Sequence, residues 1–215
     1  IEIRESSKLL TTNNTSTLAI RAENNTASIR SQSFGTAAAF ANEGSGNSFG
    51  VATAINRVDL ANNIEFSGAN TLLDTAGTLS IENLNSPALF AFSLGVAGSA
   101  SQKNTSAAST TSLAGVGSYA ENMAELKTDI LFDSIDRVDA GGAVFFRNRE
   151  RAAIEADAGG LTLALAASAT GTSPTASVGV GTAIAVNQIG SPSESSTSIH
   201  IYDTEIIAAD GDINV

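Results

Sequence analysis

VGVGTAIAVN, residues 178–187, holds no charge and no ring, and every second position is glycine, alanine or asparagine. In an extended chain successive side chains point to opposite faces. Val178, Val180, Thr182, Ile184 and Val186 therefore share one side, and Gly179, Gly181, Ala183, Ala185 and Asn187 share the other. A period of 2 marks a strand. The larger residues read as a ladder face contributing to a long dry core, and the small face as one that lets a second layer approach.

The same alternation recurs upstream. In LTLALAASA (161–169) Leu161, Leu163 and Leu165 alternate with Thr162, Ala164 and Ala166, and TGTSPT (170–175) reads as the turn between the two strands. Earlier still, Phe90, Phe92, Leu94 and Val96 alternate with Ala91, Ser93, Gly95 and Ala97. Residues 158–193 carry no charge. That run is nevertheless broken by Pro174, is rich in Ser and Thr, and lacks the uniform hydropathy of a membrane helix. With two tyrosines in the chain, the aromatic girdles of a membrane barrel are missing too. No membrane insertion is expected.

Whole segments repeat. GVAT at 50–53, GVGS at 115–118 and GVGT at 179–182 are spaced by 65 and 64 residues. A second element keeps step: IEIRESSKLL from Ile1, IEFSGANTLL from Ile64, ILFDSIDRVD from Ile130 and IHIYDTEIIA from Ile199. Each is followed by a turn and a short strand. The chain divides into repeat 1 (1–63, partial at its start), repeat 2 (64–129), repeat 3 (130–198) and the beginning of repeat 4 (199–215).

Within each period the residues read as strand. TAAAFANE (36–43) and SYAENMAELKTDI (118–130) have helix-forming composition, but the latter aligns with TAIAVNQIG (182–190), whose β-branched residues favour a strand. Ala76-Gly77, Gly141-Gly142, Gly159-Gly160 and Asp210-Gly211 read as turn dipeptides. Pro87, Pro174 and Pro192 fall at strand borders, where a missing N–H costs no ladder bond.

Strand repeats that cannot bury a face alone stack on their neighbours. The fold class is therefore all-β, a parallel β-solenoid (β-helix) of repeats about 65 residues long, in which Ile3, Phe66, Phe132 and Ile201 form one internal apolar ladder. One period is either two or three ordinary coils, or one coil carrying an inserted long β-hairpin.

Composition narrows function by exclusion. With 42% apolar but only 5% aromatic residues, and no tryptophan, the core is built from Ala, Val, Ile and Leu in thin, regular layers. A net charge of −11 opposes nucleic acid or an anionic membrane as partner, since both need basic footprints. The absence of cysteine removes disulfide scaffolds, thiolate metal sites and a cysteine nucleophile. Beginning with Ile1 inside a strand, the chain reads as a piece of a longer one.

GVGTAIAVNQI and TSIHIYDTEIIAADGDINV together resemble the repeats of giant bacterial surface proteins, the filamentous-haemagglutinin-like adhesins and related large exoproteins. In those families a glycine-alternating strand ending in Ala-Val-Asn precedes a variable polar loop, a strand, and then Ala-x-Gly-Asp-Ile-x-Val. Gly179–Asn187 with Ser198–Val215 match best. GVATAINRV departs at Arg57, and GVGSYAENM at Tyr119 and Glu121. The resemblance implies an extracellular, elongated, repetitive stalk or fibre, exported across a bacterial envelope. Because a solenoid cut from its neighbours exposes unpaired strand edges at both ends, continuation end to end with adjacent repeats or identical copies is expected.

Catalytic chemistry has few carriers. The single histidine, His200 in Ile-His-Ile, has Glu2, Glu65 and Leu131 as its counterparts in the other copies, and no nucleophile elbow accompanies it. It reads as a solvent-facing strand residue, and no enzymatic activity is expected. Asp136 with Asp139, and Asp210 with Asp212, are candidate Ca²⁺ ligands, since that ion takes six to eight oxygens; the plainer reading is turn chemistry. Arg147, Arg149 and Arg151 share a face if 145–151 is a strand. They are candidates for gripping an acidic surface glycan, against the plainer reading of cross-strand pairs with neighbouring acids. Sequons at Asn13, Asn14, Asn24 and Asn104 read as polar loop residues. The expected function is a structural repeat segment of a long surface protein. The alternative is a glycan-binding or polysaccharide-cleaving β-helix domain.

Overall fold

The computed structural model describes residues 1–4, 8–11, 16–24, 28–42, 44–103, 110–168, 175–190 and 196–215. Among them there is no helix. The first period holds β1 (Glu2–Arg4), β2 (Lys8–Thr11), β3 (Thr17–Asn24) and β4 (Ile29–Asn42). The second holds β5 (Gly46–Ser67), β6 (Leu72–Thr75), β7 (Thr78–Asn85) and β8 (Ala88–Lys103), and the third β9 (Thr110–Asp133), β10 (Arg137–Ala140), β11 (Val144–Glu150) and β12 (Ala153–Ser168). The last begins with β13 (Thr175–Ile189) and β14 (Ser196–Tyr202), then β15 (Glu205–Ala208) and β16 (Ile213–Asn214). Both helical-looking stretches are strand: 36–42 lies in β4 and 118–130 in β9.

Every strand pairs in parallel with its counterpart one period away. Sheet A orders β1-β5-β9-β13, with β14 also on β9; sheet B orders β15-β10-β6-β2, sheet C β16-β11-β7-β3, and sheet D β12-β8-β4. One period thus adds a strand to each of four parallel sheets. Among the described residues no two consecutive strands pair as a β-hairpin. β4 and β5, like β8 and β9, run out and back, but they belong to different sheets and meet face to face.

The main core lies between sheet B, sheet C and the C-terminal halves of the sheet A strands. It gathers Ile64, Phe66, Leu73, Leu79, Ile81, Ile130, Phe132, Ile135, Val138, Val144 and Phe146. The expected ladder is in register, Ile3↔Phe66, Phe66↔Phe132 and Phe132↔Ile201. Phe66 and Phe132 are fully buried with rings stacked 4.7 Å apart, while Ile201, on β14 at the edge of sheet A, is partly exposed.

Sheet D packs on the N-terminal halves of the sheet A strands to form a two-layer arm beside this core. Its interior is small: Ala54, Ala91 and Ala120 form one buried cluster, and Ala97, Ala114 and Val116 another. The small face of the opening pattern therefore points inward, as expected for a face that admits a second layer. The larger face does not line a dry core. Val178, Val180 and Ile184 are exposed, as are Phe49, Val51 and Ile55 on β5 and Leu161, Leu163 and Leu165 on β12. With two thin layers and a small-residue interior, the larger side chains have no room inside.

The register is kept by asparagine and not by the Gly-Val motif. Asn56, Asn122 and Asn187 stand opposite one another, whereas Gly50 faces Val116 and Gly115 faces Val180. The middle copy is consequently turned over, with Val116 pointing into the arm. Room for it comes from Gly95 and Gly160, in register on sheet D. A Cβ on Gly95 would lie 2.2 Å from Val116 Cγ2, and one on Gly160 2.8 Å from Val116 Cγ1. Gly159-Gly160, expected as a turn, is accordingly interior to β12. The other three dipeptides do lie between strands. Pro87 also sits between β7 and β8, while Pro174 and Pro192 lie outside the described residues, as does most of 170–175.

At the root of the arm the asparagines form a ladder. Asn56 donates to Asn122 Oδ1 (2.9 Å) and to the Phe90 carbonyl (2.7 Å); Asn122 donates to Asn187 Oδ1 (3.0 Å) and to the Glu155 carbonyl. A second set ties sheet C to sheet A. Asn83 donates to the carbonyls of Asn62 and Asp129, Asn85 to those of Leu60 and Lys127, and Asn148 to those of Thr128 and Ser198. Each amide bridges two adjacent strands, so strand spacing and sheet spacing are set by the same side chain.

Candidate interaction surfaces

The acidic candidates sit at corners. Asp136 lies between β9 and β10, is exposed, and donates its backbone N–H to the Thr71 carbonyl. Asp139, on β10, is paired with Arg137 at 3.0 Å and stands in register with Asp74. Asp210 and Asp212 flank Gly211 in the exposed turn between β15 and β16, where the Asp212 carbonyl accepts from Val144 N–H. No three His, Cys, Asp or Glu side chains among the described residues come together in a group that could hold a metal ion. Of the four, the Asp139 carboxylate has an ion pair and the other three residues join their turns through the backbone.

The arginines belong to sheet C. Arg147 and Arg149 share the outer face of β11, and Arg151 lies just past its end, donating its N–H to the Asn85 carbonyl. Arg147 lies over the Phe145 ring, 4.8 Å from its centroid. Glu82, on β7, stands between cationic neighbours, 3.6 Å from Arg21 and 3.8 Å from Arg149. Arg21, Glu82 and Arg147 form one cross-strand row. A row of alternating charge is the pattern of paired exposed strands, and each such pair contributes little to stability.

His200 is exposed on β14, its ring stacked against Tyr202, whose hydroxyl lies 3.2 Å from Nδ1. It stands over Leu131 and Glu65 in the register read from the sequence. Asn24 ends β3; Asn13, Asn14 and Asn104 lie outside the described residues.

What residue-type reasoning did not single out is the pair of outer faces of the arm. On sheet A, three cross-strand rows are Phe49–Gly115–Val180, Val51–Gly117–Thr182 and Thr53–Tyr119–Ile184. Glycine on the middle strand leaves an apolar trough of about 270 Å³ walled by Phe49, Val51, Val180 and Thr182. The Phe49 ring covers Gly115, where a Cβ would come within 2.6 Å of it. On sheet D, Phe90, Phe92, Leu94 and Val96 run along the middle strand, flanked by Phe34 and Leu161. The strict alternation visible in the sequence was the available signal. It shows that two faces exist but not which of them is buried.

Nearer the core the sheet A face turns polar. Arg57 pairs with the buried Glu125 at 2.9 Å, and the Tyr119 hydroxyl donates to Glu121 Oε2 at 2.9 Å. That hydrogen bond, with desolvation and the Glu121 charge adding to it, raises the Tyr119 pKa above its ordinary 10.0. A raised phenol pKa adds stability that is complete below the ordinary value and is lost as pH climbs through the folded one. Titration by ultraviolet absorbance should therefore show one phenol ionising later than an ordinary tyrosine. In Glu121→Ala the delay should shrink, leaving only the part due to desolvation.

Among the described residues the outermost strands of the sheets, β1 to β4 at one end and β12 to β16 at the other, have no further strand on one side. The chain matches no protein-family model, no curated protein and no solved structure.

Proposed function

We propose that this chain is a β-solenoid segment of a long extracellular bacterial surface protein, acting as a structural stalk or fibre. The observation that carries the reading is the unbroken parallel register. Each strand of one period lies on its counterpart in the next, across all four sheets. Such a register has no built-in stop, and its end strands offer rows of backbone groups that another period can pair with. Like side chains on like also support it: the Phe66–Phe132 stack and the Asn56–Asn122–Asn187 ladder both propagate along the axis. Asp139 pairs with Arg137, and Arg149 lies 3.8 Å from Glu82, so these two candidates have partners within the chain.

Electron micrographs of longer stretches of the parent polypeptide test the reading. A rod that lengthens by about 4.8 Å, one strand spacing, for each added period is expected. A compact particle whose length does not grow with the number of periods rejects it.

A further inference from the structure

The two outer faces of the arm are shaped for each other. Gly95, on β8, sits inside the arm against Val116 and Gly117 of β9. Its chain neighbours Leu94 and Val96 point outward from sheet D, at the height where Gly115 and Gly117 open the trough on the outside of sheet A. A second molecule displaced sideways, without rotation, therefore brings its Leu94–Val96 ridge over the Gly115–Gly117 trough of the first. We propose that these faces are a lateral interface between copies of this chain, sheet D of one arm stacking on sheet A of the next.

Three further observations favour a second copy as the occupant. Phe49 and Val51 stand 67% and 74% exposed and Phe40 70%, too much large apolar surface for a face meant to stay in water. Three strands about 4.8 Å apart, over the roughly nine residues of each face that carry no charge, give about 400 Å². That is in the range of the largest patch of an ordinary monomer, the kind that marks an interaction site, and about half the ~800 Å² per partner of a stable interface. The rows of the ridge itself, Phe34–Leu94–Gly159 and Thr36–Val96–Leu161, and the three rows of the trough carry no charge, while Asp157, Glu155 and Arg30 lie one and two rows further along sheet D, opposite Phe92 and Phe90. Lipid fits less well, because β4 and β12 are the outer strands of sheet D and β13 is an outer strand of sheet A. Their free backbone groups find no partners in hydrocarbon. Stacking D on A is head-to-tail, so it continues from copy to copy without closing.

The proposal uses strand faces, whereas end-to-end continuation uses strand edges, so either can fail alone. The chain has no cysteine, which makes cross-linking unambiguous. On oxidation, a mixture of Val96→Cys and Val180→Cys chains is expected to form the mixed disulfide in preference to either symmetric one. Glu2→Cys mixed with His200→Cys reports end-to-end pairing instead. In sedimentation, the mass of the unmodified chain should rise with concentration, and Leu94→Lys with Val180→Lys should return it to a monomer with an unchanged far-ultraviolet spectrum. Three results would overturn the proposal: a monomer at all concentrations, cross-links confined to the Glu2 and His200 pair, or a monomer that floats with phosphatidylcholine vesicles.

Discussion

Phe132→Ala is expected to lower the unfolding free energy by about 3–5 kcal/mol, the usual cost of deleting a buried aromatic ring from a packed core. Phe132 is fully buried, stacks on Phe66 at 4.7 Å and meets the edge of Phe146 at 5.3 Å, so the change removes the shared partner of two rings. In a chain of 215 residues that corresponds to a fall in Tm of roughly 6–20 °C. Ile201→Ala probes the same ladder where it reaches the open end. Because Ile201 is partly exposed, its loss should cost well under half as much. Equal losses at the two positions, measured by calorimetry or urea unfolding, would mean that the ladder is not buried as described.

Asn122→Ala carries the second large effect, about 2–4 kcal/mol, because a fully buried hub of three hydrogen bonds is removed. Leaving buried donors or acceptors unpaired costs roughly 1–3 kcal/mol for each group. Asn122→Asp should be at least as damaging, since a carboxylate cannot donate to Asn187 Oδ1 or to the Glu155 carbonyl. Asn187, in the same ladder but exposed on β13, receives the hydrogen bond from Asn122. Asn187→Ala should therefore shift urea unfolding only slightly. A small effect at Asn122 would show that the amide ladder follows the register without helping to hold it.

Much of this arrangement was legible from residue order. Strict alternation identified the long strands, and the recurrence of Ile-x-Phe or Ile-x-Ile gave the register of the apolar ladder, because both depend on backbone geometry that repeats exactly. Sidedness was not legible in the same way. Val178, Val180 and Ile184 alternate with Gly179, Gly181 and Ala183 whichever face is covered. Only the partner layer decides, and here the partner is sheet D with its own glycines and alanines. The Gly-Val motifs misled by one residue, since the hydrogen-bonded Asn56–Asn122–Asn187 column outweighs the resemblance of the letters. Gly159-Gly160 looked like a turn because glycine serves both for tight turns and for close approach of layers. Of the candidate charged residues, Asp136, Asp210 and Asp212 lie between strands and Arg147 with Arg149 on the outer face of β11, whereas Asp139 lies on β10 and Arg151 just past the end of β11, because β11 stops one residue short of it.

The length of one period has a mechanical consequence. Some 65 residues advance the structure by one strand spacing, roughly 4.8 Å, so a thousand residues extend it by only about 75 Å. In the stalk proposed above, such a build would give a plank more than a thread: broad across the arm, thin through its two layers, and resistant to bending edgewise far more than flatwise. Tension along its axis loads the ladders of all four sheets together. Most of the chain thus goes into breadth and tensile strength, with very little into reach.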